Sequence, residues 1–303
     1  MASSTGTILI TGGTGKVGSC LANLCKSSST PYLIASRSSP STTSSAGHSA
    51  VKFDWLDQTT WSNPFTTITT SSSSNSPITA VFLVAPPIAD SSPVLNEFID
   101  LARTQHGVKR FVLLSATVIE AGGPAYGGTA RYLQELGGAR GEVEFGIMRP
   151  TWFMDNWAEH DNIRKPVRDE GTAYSAAGDG KVPWVSKVDI AACAFRALTA
   201  ERAPGGDCII LGPELLSYGD CADILSEVTG KKIVHVSVTA EQLAERHMRI
   251  SGLPENYAKV LASTDTLIKN GSEARLNDVV LSVTGKNPRS FREFAQENRD
   301  VWL

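Results

Sequence analysis

The stretch from Ile8 to Leu21, "ILITGGTGKVGSCL", constrains this chain more than any other. An apolar run meets four glycines, Gly12, Gly13, Gly15 and Gly18. It then passes into a segment where Val17, Cys20, Leu21 and Leu24 recur at helical spacing. The glycines satisfy both G-x-G-x-x-G and G-x-x-G-x-x-G. Between a strand and a helix, that pattern reads as a dinucleotide-binding turn. Glycine permits positive φ and lets a backbone approach a pyrophosphate with no Cβ in the way. The helix start offers its free N–H groups and the positive end of its dipole to the phosphates.

The rest of the chain repeats the alternation. Strand-like runs occur at 7–11, 31–36, 50–55, 78–85, 108–116 and 143–150, with helical patterns between them. Their near-continuous hydrophobicity suits parallel strands covered on both faces. The segment 93–107 is helical and ends on Gly107, a helix stop. The fold class is therefore α/β, a doubly wound parallel, Rossmann-like sheet with a smaller, mainly helical C-terminal lobe. Residues 1–150 form the dinucleotide-binding domain and 151–303 the substrate lobe. A returning strand and helix within 182–212 pack on the sheet. Capping pairs are expected at Ser186 with Asp189 and at Ser290 with Glu293. The Ser/Thr-rich stretches 38–49 and 66–76 cannot bury a core and read as exposed loops.

Composition excludes several classes. The net charge of −3 favours neither nucleic acid nor an anionic membrane. No apolar stretch reaches the roughly 20 residues of a membrane helix. The start "MASSTGT" lacks a basic region and an apolar core, so no secretory signal is expected and the cytoplasm is the expected location. Five cysteines, at 20, 25, 193, 208 and 221, make no Cys-x-x-Cys and read as buried, reduced thiols. The five histidines have no metal-ligand spacing, so no metal is expected. The partner is a small molecule, and the assembly a monomer or small homo-oligomer.

The second strand selects the dinucleotide. An NAD-binding turn places an acid at the end of that strand for the ribose 2′-OH. Here no acid occurs from Tyr32 to Val51, and Ser36, Arg37 and Ser38 take its place. A guanidinium with two hydroxyls suits a 2′-phosphate, so NADP(H) is the expected cofactor. Asp54 either meets the adenine amino group or forms a turn.

A proton donor is missing. Short-chain dehydrogenases usually carry Tyr-x-x-x-Lys, the acid that protonates a carbonyl oxygen during reduction. The six tyrosines, at 32, 126, 132, 174, 218 and 257, are followed four residues later by Ser, Ala, Leu, Gly, Ala and Leu. Either the chain binds its cofactor without chemistry, or its substrate needs no proton on oxygen. An iminium satisfies the second condition, since hydride on its carbon leaves a neutral amine. Such a cation needs aromatic faces and orientation rather than an acid. The segment "RPTWFMDNWAEHD" follows the sixth strand and supplies pocket candidates Trp152, Phe153, Met154, Asn156 and Trp157, with His160 as a proton shuttle. Asp155 and Glu159 are expected to face solvent.

With those residues in view, the sequence resembles the NmrA-like, atypical short-chain dehydrogenase family. Within it the chain is similar to the fungal ergot-alkaloid branch, the festuclavine synthase and agroclavine dehydrogenase type. The carrying segments include "TGGTGKVGS", "MRPTWFMDNW", "YSAAGDGKVPWVSKVDIA" and "LPENYAKVLASTDTLIKNG", and they span nearly the whole chain. The resemblance implies NADPH-dependent reduction of a cyclic iminium of a polycyclic, indole-alkaloid-like substrate. It implies cofactor contacts at Thr11, Gly13, Thr14, Gly15, Lys16, Val17, Arg37, Ala85 and Ser115, and Pro86, next to Ala85, joins the expected cofactor-binding residues. Many relatives keep a lysine near the nicotinamide where this chain has Ala130 and Arg131. Two alternatives stand beside the reductase. One is an enzyme that captures or cyclises an iminium, of Pictet-Spengler or cycloaddition type, with NADP(H) bound but not consumed. The other is a non-catalytic NADP(H)-sensing regulator.

Overall fold

A computed structural model describes residues 6–38, 49–66 and 76–303. Most of both Ser/Thr-rich loops, 39–48 and 67–75, lies outside the described residues. The chain divides into two compact units, the first formed by residues 1–150 with 190–209 and the second by 151–189 with 210–303.

The first unit carries the sheet. Its strands are β1 (Thr7–Thr11), β2 (Tyr32–Ser36), β3 (Ala50–Lys52), β4 (Ile78–Leu83), β5 (Arg110–Leu114), β6 (Glu144–Pro150) and, later in the chain, β8 (Asp207–Ile210). Their order is β3-β2-β1-β4-β5-β6-β8, with parallel pairing from β3 through β6. Ile147 N donates to Gly206 O and Thr151 N to Ile210 O, the spacing of a parallel pair that places β8 beside β6. Every residue of β1 is buried, as a central strand with helices on both faces requires. Leu9 sits level with Leu33 of β2 and Val81 of β4, so the strands stack apolar on apolar.

The helices α1 (Lys16–Ser27), α2 (Ser92–Gln105) and α3 (Gly127–Gln134) turn apolar stripes inward. Phe98 of α2 meets Phe53, Trp55 and Trp61 edge-on, with ring centroids 5.2, 5.2 and 5.8 Å away. Gly107 takes φ 71° just past α2, the left-handed conformation that stops the helix. The third strand is shorter than its apolar run suggested. Asp54 Oδ1 accepts from Leu56 N at 3.0 Å, and this carboxylate-closed turn takes the chain out of the sheet.

The second unit is mainly helical. It contains α4 (Asn156–Glu159), α5 (Asp161–Glu170), β7 (Thr172–Ser175), the start of α6 (Lys187–Thr199), α7 (Tyr218–Thr229), β9 (Val234–Ser237), α8 (Ala240–Ser251), α9 (Glu255–Lys269), α10 (Val279–Thr284) and α11 (Phe291–Glu297). β7 and β9 form a parallel two-stranded sheet, and β7 has no clear signature in the sequence. The core gathers Trp157, Trp184, Tyr218, Phe291, Phe294 and Trp302. Trp302 Nε1 donates to Trp157 O at 3.1 Å.

The two expected capping pairs diverge. Ser290 and Glu293 form a reciprocal box at the start of α11. Ser186 and Asp189 do not. Ser186 Oγ accepts from Val188 N, while Asp189 Oδ2 accepts from Arg289 N at 2.9 Å. The start of α6 is capped instead by Asp155, whose Oδ2 accepts from Lys187 N at 2.7 Å.

Candidate functional site

In the first unit, the parallel sheet places the loops after β1, β2, β4 and β5 along one edge, the carboxyl ends of the strands. The glycine turn follows β1. Gly12 has φ 64° and its carbonyl accepts from Gly15 N at 2.9 Å. A Cβ at Gly18 would lie 2.3 Å from Gly12 O, and one at Gly13 would lie 2.6 Å from Ile34 Cγ2. Those two glycines therefore let α1 close on the turn and the turn close on β2. Gly15 differs, because a Cβ there would meet only Gly12 O, at 3.2 Å. It is exposed, it is the N-cap of α1, and no side chain caps that helix.

The expected cofactor residues divide accordingly. Gly12, Thr14 and Gly15 are exposed and Lys16 is half-buried, whereas Gly13, Val17 and Gly18 are buried. Thr11 is fully buried. Its hydroxyl donates to Phe82 O at 2.9 Å and accepts from Val84 N at 2.8 Å, tying β1 to β4. Beyond β2, Ser36 is half-buried while Arg37 and Ser38 are exposed. Among the described residues Arg37 has no ion-pair or hydrogen-bond partner. Ala85 and Pro86 follow β4, half-buried. Ser115 follows β5 and is 4% exposed. Its N donates to Met148 O at 2.7 Å, and its buried Oγ has no partner among the described residues. Ala130 is buried, and the Arg131 guanidinium lies against the 121–122 turn, with Nη2 3.4 Å from Ala121 O.

These features fit a phosphorylated dinucleotide. An uncapped helix start behind a residue without a Cβ is an anion cradle. An exposed guanidinium at the end of the adjacent strand β2, unpaired among the described residues, suits a second anion, and a buried hydroxyl with no partner among those residues suits a further polar group.

The second unit holds a small cavity of about 70 Å³. Its walls are aromatic and aliphatic, from Trp152, Ile163, Trp184, Tyr218, Leu243 and Leu261. Of the residues expected to form a pocket, Trp152, Asn156 and His160 line it. Met154 and Trp157 are fully buried in the core, and Phe153 is half-buried and not on the wall. Asp155 does not face solvent as expected. It is 5% exposed, held by the Lys187 backbone with the Lys187 ammonium 3.5 Å away, because the start of α6 needs an acceptor. Glu159 is exposed and pairs with the same ammonium.

Polar groups on the wall come from elements the sequence did not single out. Asn162 and His247 hydrogen-bond at 3.0 Å. The Asp265 side chain, on α9, is 6% exposed, and its Oδ2 accepts from Ala176 N at 2.8 Å. Burial pushes this carboxyl up to about 6, against the pull of that N–H bond. Burial and the nearby Asp265 charge push the Tyr218 hydroxyl well above its ordinary value. Burial and Arg246 hold His247 below the usual imidazole value. A signal for Asp265 did exist in the sequence. The inward stripe of α9 is Ala258, Ala262, Asp265 and Ile268, an acid at a helical position that otherwise takes apolar residues.

A doubly wound sheet in this order, with an open glycine turn at the end of β1, defines a Rossmann-like fold. Solved structures share it. The chain is similar to the NADPH-dependent quinone oxidoreductase of Escherichia coli, with TM-score 0.76 and 19% identity over 96% of this chain and 99% of that one. It is similar to the triphenylmethane reductase of Citrobacter sp., with TM-score 0.75 and 19% identity over 98% of this chain and all of that one. No family-wide sequence profile matches. Individual relatives do. The chain is 42% identical to the agroclavine dehydrogenase of Claviceps fusiformis over 98% of its length and 99% of the relative's. It is likewise 42% identical to festuclavine synthase II of Penicillium roqueforti over 98% and 99%. The chain belongs to this agroclavine dehydrogenase and festuclavine synthase family of NmrA-like oxidoreductases.

Proposed function

We propose that the protein is an NADP(H)-dependent reductase of a cyclic iminium carried by a polycyclic amine. The observation that carries this reading is the near-full-length relationship to agroclavine dehydrogenase and festuclavine synthase. The cradle in the first unit supports it. Gly12, Thr14, Gly15 and the start of α1 would hold the pyrophosphate, with Lys16 adding charge. Arg37, flanked by Ser36 and Ser38, would hold the 2′-phosphate, which a guanidinium can bind bidentately. Ser115 would give its unpaired hydroxyl to the cofactor at the end of β5. When bound, NADPH supplies a hydride to the carbon of C=N.

No residue need then donate a proton. The C=N⁺ group is already charged, and hydride addition neutralises it to an amine. The missing Tyr-x-x-x-Lys pair is consistent with that requirement. The aromatic walls around Trp152 and Trp184 suit the cationic end of such a molecule.

A single-turnover experiment tests the reading. Protein, NADPH and a cyclic iminium are mixed, and absorbance at the reduced nicotinamide band is followed beside product formation. The band should decay in step with product. Product formed while the band persists would replace hydride transfer with cofactor-assisted cyclisation.

A further inference from the structure

The cavity in the second unit holds one feature that apolar packing does not explain. Asp265 is the sole carboxylate on its wall, and no lysine or arginine lines it among the described residues. Only the Ala176 N–H reaches the Asp265 carboxylate among those residues. The other titratable groups on the wall are His160, Tyr174, Tyr218 and His247. Burial and Arg246 hold His247 toward its neutral form, and Tyr218 is held protonated. Arg246 itself is engaged elsewhere, stacked over the Tyr174 ring at 3.3 Å and facing Glu170. His235, beside Tyr218, is bonded to Ser175 Oγ at 2.8 Å and is also held toward neutrality by burial. A buried carboxylate is costly when it lacks a partner. One lodged among tryptophan faces, on a wall without lysine or arginine among the described residues, is complementary to a bound cation.

We infer that Asp265 is the counter-ion for the substrate, binding its positively charged nitrogen in the cavity between the Trp152 and Trp184 walls. This inference rests on the reading of the protein as an iminium-handling enzyme and adds the residue that selects charge. The cavity volume, about 70 Å³, is far below the roughly 300 Å³ of a typical ligand pocket. The cavity therefore takes the charged end of the molecule and not the whole polycycle. Asp265 acts as a binding and orienting group, since a carboxylate beside C=N⁺ fixes which end of the ligand enters.

The test uses two inert probes on NADP⁺-saturated protein. N,N-dimethyl-tetrahydroisoquinolinium carries a fixed charge, and 2,2-dimethyltetralin is its neutral carbon isostere. Calorimetric titration of the wild type should show at least a tenfold preference for the cation. Asp265→Asn keeps an acceptor for the Ala176 N–H and should abolish that preference. Its affinity for the neutral probe should stay at the wild-type value, which reports an intact cavity. Wild-type affinity for the cation should also fall about tenfold per pH unit below pH 6, and the variant's should stay flat. A variant that keeps the cation preference overturns the inference, as does a wild type that has none. The single-turnover result separates this from the parent reading. Asp265-dependent cation binding without NADPH decay removes the reductase and leaves Asp265 its role. Equal iminium-driven NADPH decay in wild type and variant does the reverse.

Discussion

Arg37 stands where a dinucleotide-binding strand would otherwise end in an acid, and it is exposed with no partner among the described residues. A guanidinium exposed in this way can be reached by a phosphate. Arg37→Ala should therefore weaken NADPH binding by about 1–3 kcal/mol, the value of charged hydrogen bonds, and leave NADH nearly unchanged. Fluorescence titration with both nucleotides reads the difference. An equal loss for the two would remove the 2′-phosphate role. The same scale separates residues that look alike in sequence. Thr11 and Ser115 both carry hydroxyls at strand ends, but Thr11 uses its own to join β1 to β4, and that of Ser115 has no partner among the described residues. Nothing in the one-dimensional pattern distinguishes them, because a hydroxyl's partner is set by the strand that packs beside it.

Within the element formed by β1, its turn and α1, the four glycines have different duties. Gly18→Ala would drive a Cβ into the Gly12 carbonyl and the Gly13 backbone, which cannot rotate away. Overpacking of that kind costs about 1–3 kcal/mol, so chemical denaturation should show a less stable protein. Gly15→Ala meets only one atom, Gly12 O, at a tight 3.2 Å that asks for a shift of a few tenths of an ångström, against the 2.3 Å overlap at Gly18. It should cost less stability than Gly18→Ala and act mainly on cofactor affinity, since under the proposed function the added methyl would stand where a phosphate approaches the start of α1. Equal behaviour of the two variants would reduce the turn to a packing device. The glycine pattern was legible as a turn from spacing alone. The assignment of each glycine required the distances to Gly12 O and Ile34. Likewise α11 shows its cap in the Ser290–Glu293 spacing, whereas α6 takes its cap from Asp155, a residue 32 positions away in the chain.

For the molecule as a whole, a buried Asp265 carries a cost in stability that the proposed counter-ion role would explain. Its carboxyl sits at about 6 in the fold against 3.8 for an ordinary aspartate, so the fold favours the protonated form. The penalty for ionisation is fully present above pH 6, shrinks as pH falls from 6 toward 3.8, and is absent below. At pH 7 it amounts to about 3 kcal/mol. Asp265→Asn should therefore be more stable than the wild type at neutral pH by up to that amount, and the advantage should vanish near pH 4. Differential scanning calorimetry of the pair across pH 4–7 isolates this group, because Asp155 and Asp189, also raised by burial, are common to both. An advantage that is absent, or that grows on acidification, would contradict the buried, ionised carboxylate. Two units with separate cores carry the chain, one built on the sheet and one on the Trp157, Trp184 and Phe291 cluster.

The sequence by itself determined the alternation of strands and helices, the doubly wound class, the glycine turn and the candidate Arg37, because period, glycine placement and the lack of an acid after β2 are local properties of the chain. It also named Trp152, Asn156 and His160, three residues that line the cavity, beside Met154 and Trp157, which are core. It could not separate those groups, since aromatic residues serve a core and a binding wall equally well. Tertiary structure alone decided that Asp155 caps a helix and that the Ser115 hydroxyl has no partner among the described residues, and it placed Asp265, an acid the sequence showed only as a break in an apolar helical stripe, on the wall of the aromatic cavity. The reason is physical. Burial and hydrogen-bond partners are set by which distant segments fold together, and an acid's role follows from whether its surroundings already contain a cation.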